Sequence, residues 1–230
     1  MPGSPAHLPE WERLLSSAAR LQQIVPGAVL VGGTAAAIHA EHRFSLDADH
    51  VLADLRKRFD EVLEQLESVA GWQTARLARP VQILGSLDGI QTGVRQLIRT
   101  EPLETTTLDV EGAALTIPTA AEILRIKGVL ILKRNATRDY LDFVALATLL
   151  GSGATGEALR SFDRLYPQES GESALQQLQV QLANPLPYDL DGPDISEYRD
   201  LADRWRDWGR VTDACGRIAV RVFDYVCDAK

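Results

Sequence analysis

"VLVGGTAAAIHAEHRFSLDADHVLADL" occupies residues 29–55 and changes character three times. Residues 29–31 are apolar and few, as in a short buried strand. Gly32 and Gly33 make the turn after it, and the alanine-rich residues 34–42 read as a helix with Thr34 near its N-cap. "SLDADHVLA" then alternates as a second strand. Asp47 and Asp49 stand two apart on it, so both carboxylates leave one face while Ala48 turns to the core. If the helix brings the chain back beside the first strand, Thr34 and Asp47 become neighbours.

Such a convergence suits phosphate chemistry. Gly33 permits close backbone approach. The start of the helix offers N–H groups and a positive dipole end to an anion, and Thr34 adds a hydroxyl donor. Two carboxylates on one face can hold a hard divalent cation such as Mg²⁺. Each part has a bland reading: Gly-Gly after a strand is commonly a tight turn, and Asp-x-Asp a solvated edge. Their joint order and spacing carry the functional reading.

The rest of the chain sets bounds. At 230 residues it can build one large domain or two small ones. No run approaches the roughly 20 apolar residues that cross a bilayer, and "MPGSPAHLPEW" lacks the pattern of a secretion signal. Cys215 and Cys227 fall late, on one helix, and give no disulfide framework, so the cytoplasm is the expected location and no membrane partner is expected. The formal charge of −8 requires that any RNA be met by locally gathered cations. Arg95, Arg99, Arg125, Lys133 and Arg134 could form such a track, with ordinary solvated surface as the equal alternative. His7, His39, His42 and His50 show no metal-ligand grouping.

Along the chain, "EWERLLSSAARLQQIV" is an N-terminal helix ended by Pro26-Gly27, and "LRKRFDEVLEQLESV" is amphipathic, with Phe59, Val62, Leu63 and Leu66 on one side. "WQTARLA", "VQILGSL", "IQTGVRQLI", "TTTLDV" and "ALTI" follow as strands, with Asp88-Gly89 and Glu111-Gly112 as turns. From Pro118 the pattern is helical. "TAAEILRIKGVLILKR" continues, with a bend at Asn135, into "TRDYLDFVALATLL", which "GSGATG" (151–156) ends as a flexible joint. Two shorter helices and the Pro-rich "NPLPYDLDGPD" lead to a terminal helix carrying Trp205 and Trp208, read as core contacts or as a partner-binding ridge. The expected class is α+β: a mixed sheet flanked by helices (1–118), then a helical C-terminal region (119–230).

On one continuous helix Lys127, Arg134 and Arg138 fall within about 40° of one another, with Asp142 one turn beyond. These spacings also describe ordinary surface ion pairs. Their position downstream of the glycine turn and the acidic pair favours a functional stripe.

"VGGT", a helix and "LDADHV" resemble the nucleotidyltransferase superfamily, whose pattern is hydrophobic-Gly-(Gly/Ser), a helix, then Asp-x-(Asp/Glu). "RFSLDAD" and "K…R…RDYLDF" are similar to its AbiEii branch, the MenT-like toxins of type IV toxin–antitoxin systems; the resemblance covers roughly residues 28–150. It implies a Mg²⁺-dependent enzyme that moves a nucleoside monophosphate from an NTP to an acceptor hydroxyl, an RNA and most plausibly tRNA, with a small antitoxin protein as partner. Asp47 and Asp49 would hold the metal. Gly32, Gly33 and Thr34 would position phosphates, supported by Arg43 and Ser45, and Lys127 would lie on the triphosphate with Arg134 and Arg138 beside the nucleotide. Asp139 or Asp142 would be a further carboxylate, the general base, or an anchor for Arg138.

One departure stands out. Polymerase-like members carry a third carboxylate on a later strand, yet no acidic residue lies between Gly89 and Thr100. Asp109 is the next candidate, and Asp88 sits in a turn. Two other readings therefore stay open: a small-molecule nucleotidyltransferase of the aminoglycoside-modifying kind, which an acidic protein suits, and a non-catalytic nucleotide-binding module with the same fold.

Overall fold

The computed structural model describes residues 9–190, 195 and 198–228. His7, part of the Pro-rich stretch (191–194) and the side chain of Cys227 lie outside the described residues. The chain forms two compact units: Met1–Ile38 with Ser45–Thr119, and His39–Phe44 with Ala120–Lys230.

The first unit runs α1 (Pro9–Ile24), β1 (Val29–Leu30), α2 (from Gly32, ending at Ala40), β2 (Ala48–Leu52), α3 (Leu55–Glu67), β3 (Trp72–Ala78), β4 (Gln82–Leu87), β5 (Ile90–Gln96), β6 (Thr105–Val110) and β7 (Ala113–Pro118). Five strands form a mixed sheet in the order β1-β2-β5-β4-β3, in which β2 and β5 are parallel and the other pairs antiparallel. The expected α+β class with a mixed sheet and flanking helices is observed. β6 and β7 pair as a separate hairpin. Both anticipated turns form, with positive φ at Asp88-Gly89 and at Glu111-Gly112, the geometry that matches strand twist in a tight hairpin.

Helical periodicity explains what covers the sheet. Phe59, Val62, Leu63 and Leu66 of α3, Leu21 of α1 and Val25 just after it are buried with Ile83, Leu87 and Val94. Each such side chain contributes on the order of 1.5–3 kcal/mol. Leu14 and Ala18 of α1 pack with Ala48, Leu115 and Ile117. Along β2 the residues Ala48, His50 and Leu52 are therefore inward, and Asp49 and Val51 turn to the opposite face. His50 is fully buried and neither ring nitrogen has a partner. Burial pushes its pKa down to about 4, so the imidazole is neutral at physiological pH.

The second unit holds α4 (Ala120–Arg134), α5 (Thr137–Leu159), α6 (Phe162–Leu165), α7 (Ala174–Ala183) and α8 (Trp208–Asp228), together with residues 39–44. The bend expected at Asn135 is a full break between two helices. Asn135 takes φ +46, ends α4, donates through Nδ2 to the Leu186 carbonyl and accepts from the Tyr140 hydroxyl. Asparagine tolerates this left-handed conformation better than most residues. Thr137 restarts the helix, with its N–H and hydroxyl both donating to Asp189. "GSGATG" does not end α5: Gly151, at φ +76, kinks it, and helical residues continue to Leu159. Trp205 is buried in a short 3-10 turn (Asp203–Trp205), while Trp208 opens α8 and meets Tyr140 edge-on, so the two tryptophans do not share a helix. Among the described residues no helix is long and apolar enough to cross a membrane.

Candidate active site

The glycine turn and the acidic pair meet within the first unit. β1 runs antiparallel to β2, with Leu30 opposite His50, and the Val31 N–H donates to the Asp49 carbonyl at 2.8 Å. Gly32 opens α2 at φ +75, in the left-handed region, and a Cβ placed there would lie 3.8 Å from Asp49 Oδ2. The first turn of α2 thus begins beside the Asp49 carboxylate. Asp47 is exposed immediately before β2, and Asp49 is half-buried. Ser45 is buried on the approach to them.

Thr34 departs from the N-cap reading. The helix starts two residues earlier, so Thr34 lies inside its first turn, fully buried. Its hydroxyl donates to the Asp47 carbonyl at 2.6 Å. Thr34 and Asp47 are neighbours, and the hydroxyl holds the acidic segment through the Asp47 carbonyl.

The donor set suits a hard cation: two carboxylates two residues apart, one exposed and one half-exposed, beside a helix start. Mg²⁺ is commonly held by one or two carboxylates and completes its shell with water and phosphate oxygens. Among the described residues no group of three or more His, Cys, Asp or Glu side chains is placed to hold a metal ion. Asp88 is instead paired with Arg20, and Asp109 accepts from the Gly112 N–H in the β6–β7 turn.

In the second unit the charged residues of α4 and α5 form one buried cluster. Asp142 accepts from Arg43 twice, Nε at 2.7 Å and Nη2 at 3.0 Å. It also pairs with Lys127 Nζ at 2.5 Å and with His42 Nε2 at 2.7 Å. Burial alone would raise the Asp142 pKa, but Arg43, Lys127 and His42 hold the carboxyl well below the usual range. His42 is itself neutral, because burial outweighs the pull of Asp142 on its proton. Its Nε2 then carries that proton toward Asp142, and Nδ1 is left buried without a partner. Asp139 is fully buried between Lys127 Nζ at 3.5 Å and Arg134, whose Nε and Nη2 lie 2.5 and 2.7 Å away.

These contacts bear on three expectations. The helix break at Asn135 removes the common stripe of Lys127, Arg134 and Arg138; Arg138 is exposed, and the arginine anchored by Asp139 is Arg134. Lys127 is 1% exposed and its ammonium is committed to two carboxylates. Asp139 and Asp142 are ion-pair partners with no exposed surface, which is not how a base open to an acceptor is placed. The proposed RNA track also loses members. Arg99 is buried and donates to the carbonyls of Glu101 and Pro102, and Arg125 is buried against Glu122 and the Ala158 carbonyl.

Sequence reasoning missed two features. His42 and the full role of Arg43 were not anticipated, because their partner lies about a hundred residues downstream. Residues 39–44 as a whole belong to the helical unit: the Phe44 N–H donates to the Arg199 carbonyl, the His42 carbonyl accepts from the Ala202 N–H, and Arg43 lies over the Tyr198 ring. The one available signal was Arg43 itself, in "RFSLDAD". Arg95, placed against Asp49, was read only as a possible RNA contact.

No protein-family model matches the chain. Among curated proteins it is similar to the mycolic acid-containing lipids exporter MmpL11 of Mycolicibacterium smegmatis, 37% identical over 134 residues, and to the heme uptake protein MmpL11 of Mycobacterium tuberculosis, 36% identical over 129. Each match covers 55% of this chain but 13% of the relative, so the chain spans a small part of the proteins it matches. Among solved structures, one similar to it is a candidate nucleotidyltransferase of H. pylori, with a TM-score of 0.52, 15% identity and 96% of both chains covered. Another is the antibiotic-resistance factor ANT(2'')-Ia, with a TM-score of 0.50, 11% identity, and 66% of this chain and 91% of that one covered. The same factor in complex with adenylyl-2''-tobramycin is equally similar. By fold, this chain is nucleotidyltransferase-like.

Proposed function

We propose that this chain transfers a nucleoside monophosphate from an NTP to an acceptor hydroxyl and releases pyrophosphate. The observation that carries the reading is the meeting of a left-handed glycine turn, a helix start and the Asp47/Asp49 pair in the first unit. Asp47 and Asp49 are the residues that would hold Mg²⁺, which when bound supplies positive charge to the phosphates in flight. The backbone N–H groups of Gly32 and Gly33 at the start of α2 would receive phosphate oxygens. Thr34 holds the Asp47 segment in place through its carbonyl. Arg43, Lys127, Arg134, Asp139 and Asp142 enter as a buried network of the second unit that fixes residues 42–43, which precede Ser45 and Asp47 in the chain. Its three cations outnumber its two carboxylates, so the network carries net positive charge.

The AbiEii-like "RFSLDAD" supports an RNA acceptor, tRNA first, with an antitoxin as partner. A second acceptor class, a cationic small molecule, is favoured by the net charge of −8 and by the burial of Arg99 and Arg125. The fold neighbour solved with adenylyl-2''-tobramycin belongs to that class. Protein, Mg²⁺ and labelled NTPs are incubated with total RNA and, separately, with aminoglycosides. Labelled RNA that is lost in Asp49→Ala supports the first class, and labelled aminoglycoside the second. Calorimetric NTP binding with no labelled acceptor would move the chain to the non-catalytic reading, and absence of NTP binding would remove the proposal.

A further inference from the structure

The strand beside β2 carries a cation next to the acidic pair. In the parallel β2–β5 register, Asp49 faces Gly93 and Val51 faces Arg95. A Cβ at position 93 would come within 2.6 Å of both the Ile83 carbonyl oxygen and Leu84 Cδ2. No side chain fits directly beside Asp49, and the face is supplied by Gln91 and Arg95 on either side. Arg95 Nε lies 3.6 Å from Asp49 Oδ1. Gln82, opposite Arg95 on β4, sets its side-chain amide against the same guanidinium. The two charged side chains are 44% and 37% exposed. An ion pair this open to water is worth little and exchanges readily.

We propose that Arg95 is a resident counter-ion of the acidic pair, which yields Asp49 to a divalent cation and takes up triphosphate charge in exchange. The inference rests on the nucleotide site proposed above and adds a role in loading. A guanidinium competes with a bare cation for Asp49 and repels it at short range. A cation that arrives with a triphosphate brings negative charge that Arg95 attracts, bidentately where geometry allows. Metal and nucleotide therefore favour each other's binding, a coupling that works in both directions. Arg95 here is a positioning and binding residue, and no bond is made or broken by it.

The test measures Mn²⁺ binding by electron paramagnetic resonance, alone and with an α,β-methylene NTP, in the wild type, Arg95→Gln and Arg95→Lys. Arg95→Gln is expected to bind Mn²⁺ alone about tenfold more tightly and the Mn²⁺-bound analogue about tenfold more weakly, with Arg95→Lys close to wild type. Opposite shifts are the signature, since a merely structural role would weaken both. Unchanged Mn²⁺ affinity in Arg95→Gln, or parallel losses, would overturn the role of Arg95 while leaving the nucleotide site standing. A wild-type protein that binds neither Mn²⁺ nor the analogue would remove that site, and this inference with it.

Discussion

Asp47 with Asp49 and Asp139 with Asp142 are both aspartate pairs at short spacing, and their surroundings make them different objects. Asp47 and Asp49 lie at the solvent-facing start of β2, with Arg95 loosely held beside Asp49. Asp139 and Asp142, one turn apart on α5, are fully buried and clamped by Lys127, Arg134 and Arg43 at 2.5–3.5 Å. The first pair has negative charge to offer to a ligand. The second has spent its charge inside the protein. Residue type and spacing do not distinguish the two; burial and partners do.

That contrast can be broken most directly at Asp142. Asp142→Ala strands Arg43 in the interior and leaves Lys127 with the more distant Asp139, and removing one side of a buried ion cluster costs about 3–5 kcal/mol. Urea unfolding is expected to show a loss of that size, and a loss below about 1 kcal/mol would mean the cluster is far wetter than described. The converse substitution, Asp49→Ala, is expected to change stability by less than about 1 kcal/mol while reducing nucleotidyl transfer at least about a hundredfold. Equal damage from the two variants, in either assay, would erase the distinction.

Acid titration probes the buried side. His50 has its pKa lowered to about 4 in the folded protein, against about 6.5 unfolded, so between these values the unfolded chain binds the extra proton. Stability is therefore full above about pH 6.5 and falls as the pH drops toward 4, by roughly 3 kcal/mol. His42 adds to this limb in the same direction, and Asp142, whose pKa is depressed, adds a further loss below the usual carboxylate range. Chemical denaturation at a series of pH values measures the slope, and His50→Leu should flatten much of it. The smallest effect sharpens the open side: Gly32→Ala forces φ +75 on a residue with a Cβ, costing about 1 kcal/mol. Its cost in NTP binding should exceed its cost in folding, as calorimetry beside thermal unfolding will resolve.

What the sequence made legible follows from how locally each feature is encoded. The β-rich runs and turn signals of β3 to β7 and the apolar stripe of α3 are short-range patterns, and the glycine turn with its acids is contained in one segment. The details that escaped depend on distance or on single dihedrals. Thr34 within rather than before α2 turns on which glycine starts the helix. At Asn135 the place was legible but its extent was not: a single left-handed residue turns the expected bend into a break. Arg43 and His42 meet Asp142 across about a hundred residues, and no periodicity in either segment encodes that pairing. The Arg95–Asp49 contact depended on strand register, which becomes known only once β2 and β5 are paired.

The excursion of residues 39–44 into the helical unit bears on how this protein can be inherited. A gene fragment beginning at Ala120 would encode Asp142 and Lys127 but neither Arg43 nor His42, leaving the carboxylate with one of its three partners. The helices cannot be exchanged between proteins as a cassette; they travel with the glycine turn and the acidic strand on either side of that short loop, or they arrive with a hole in their charge network.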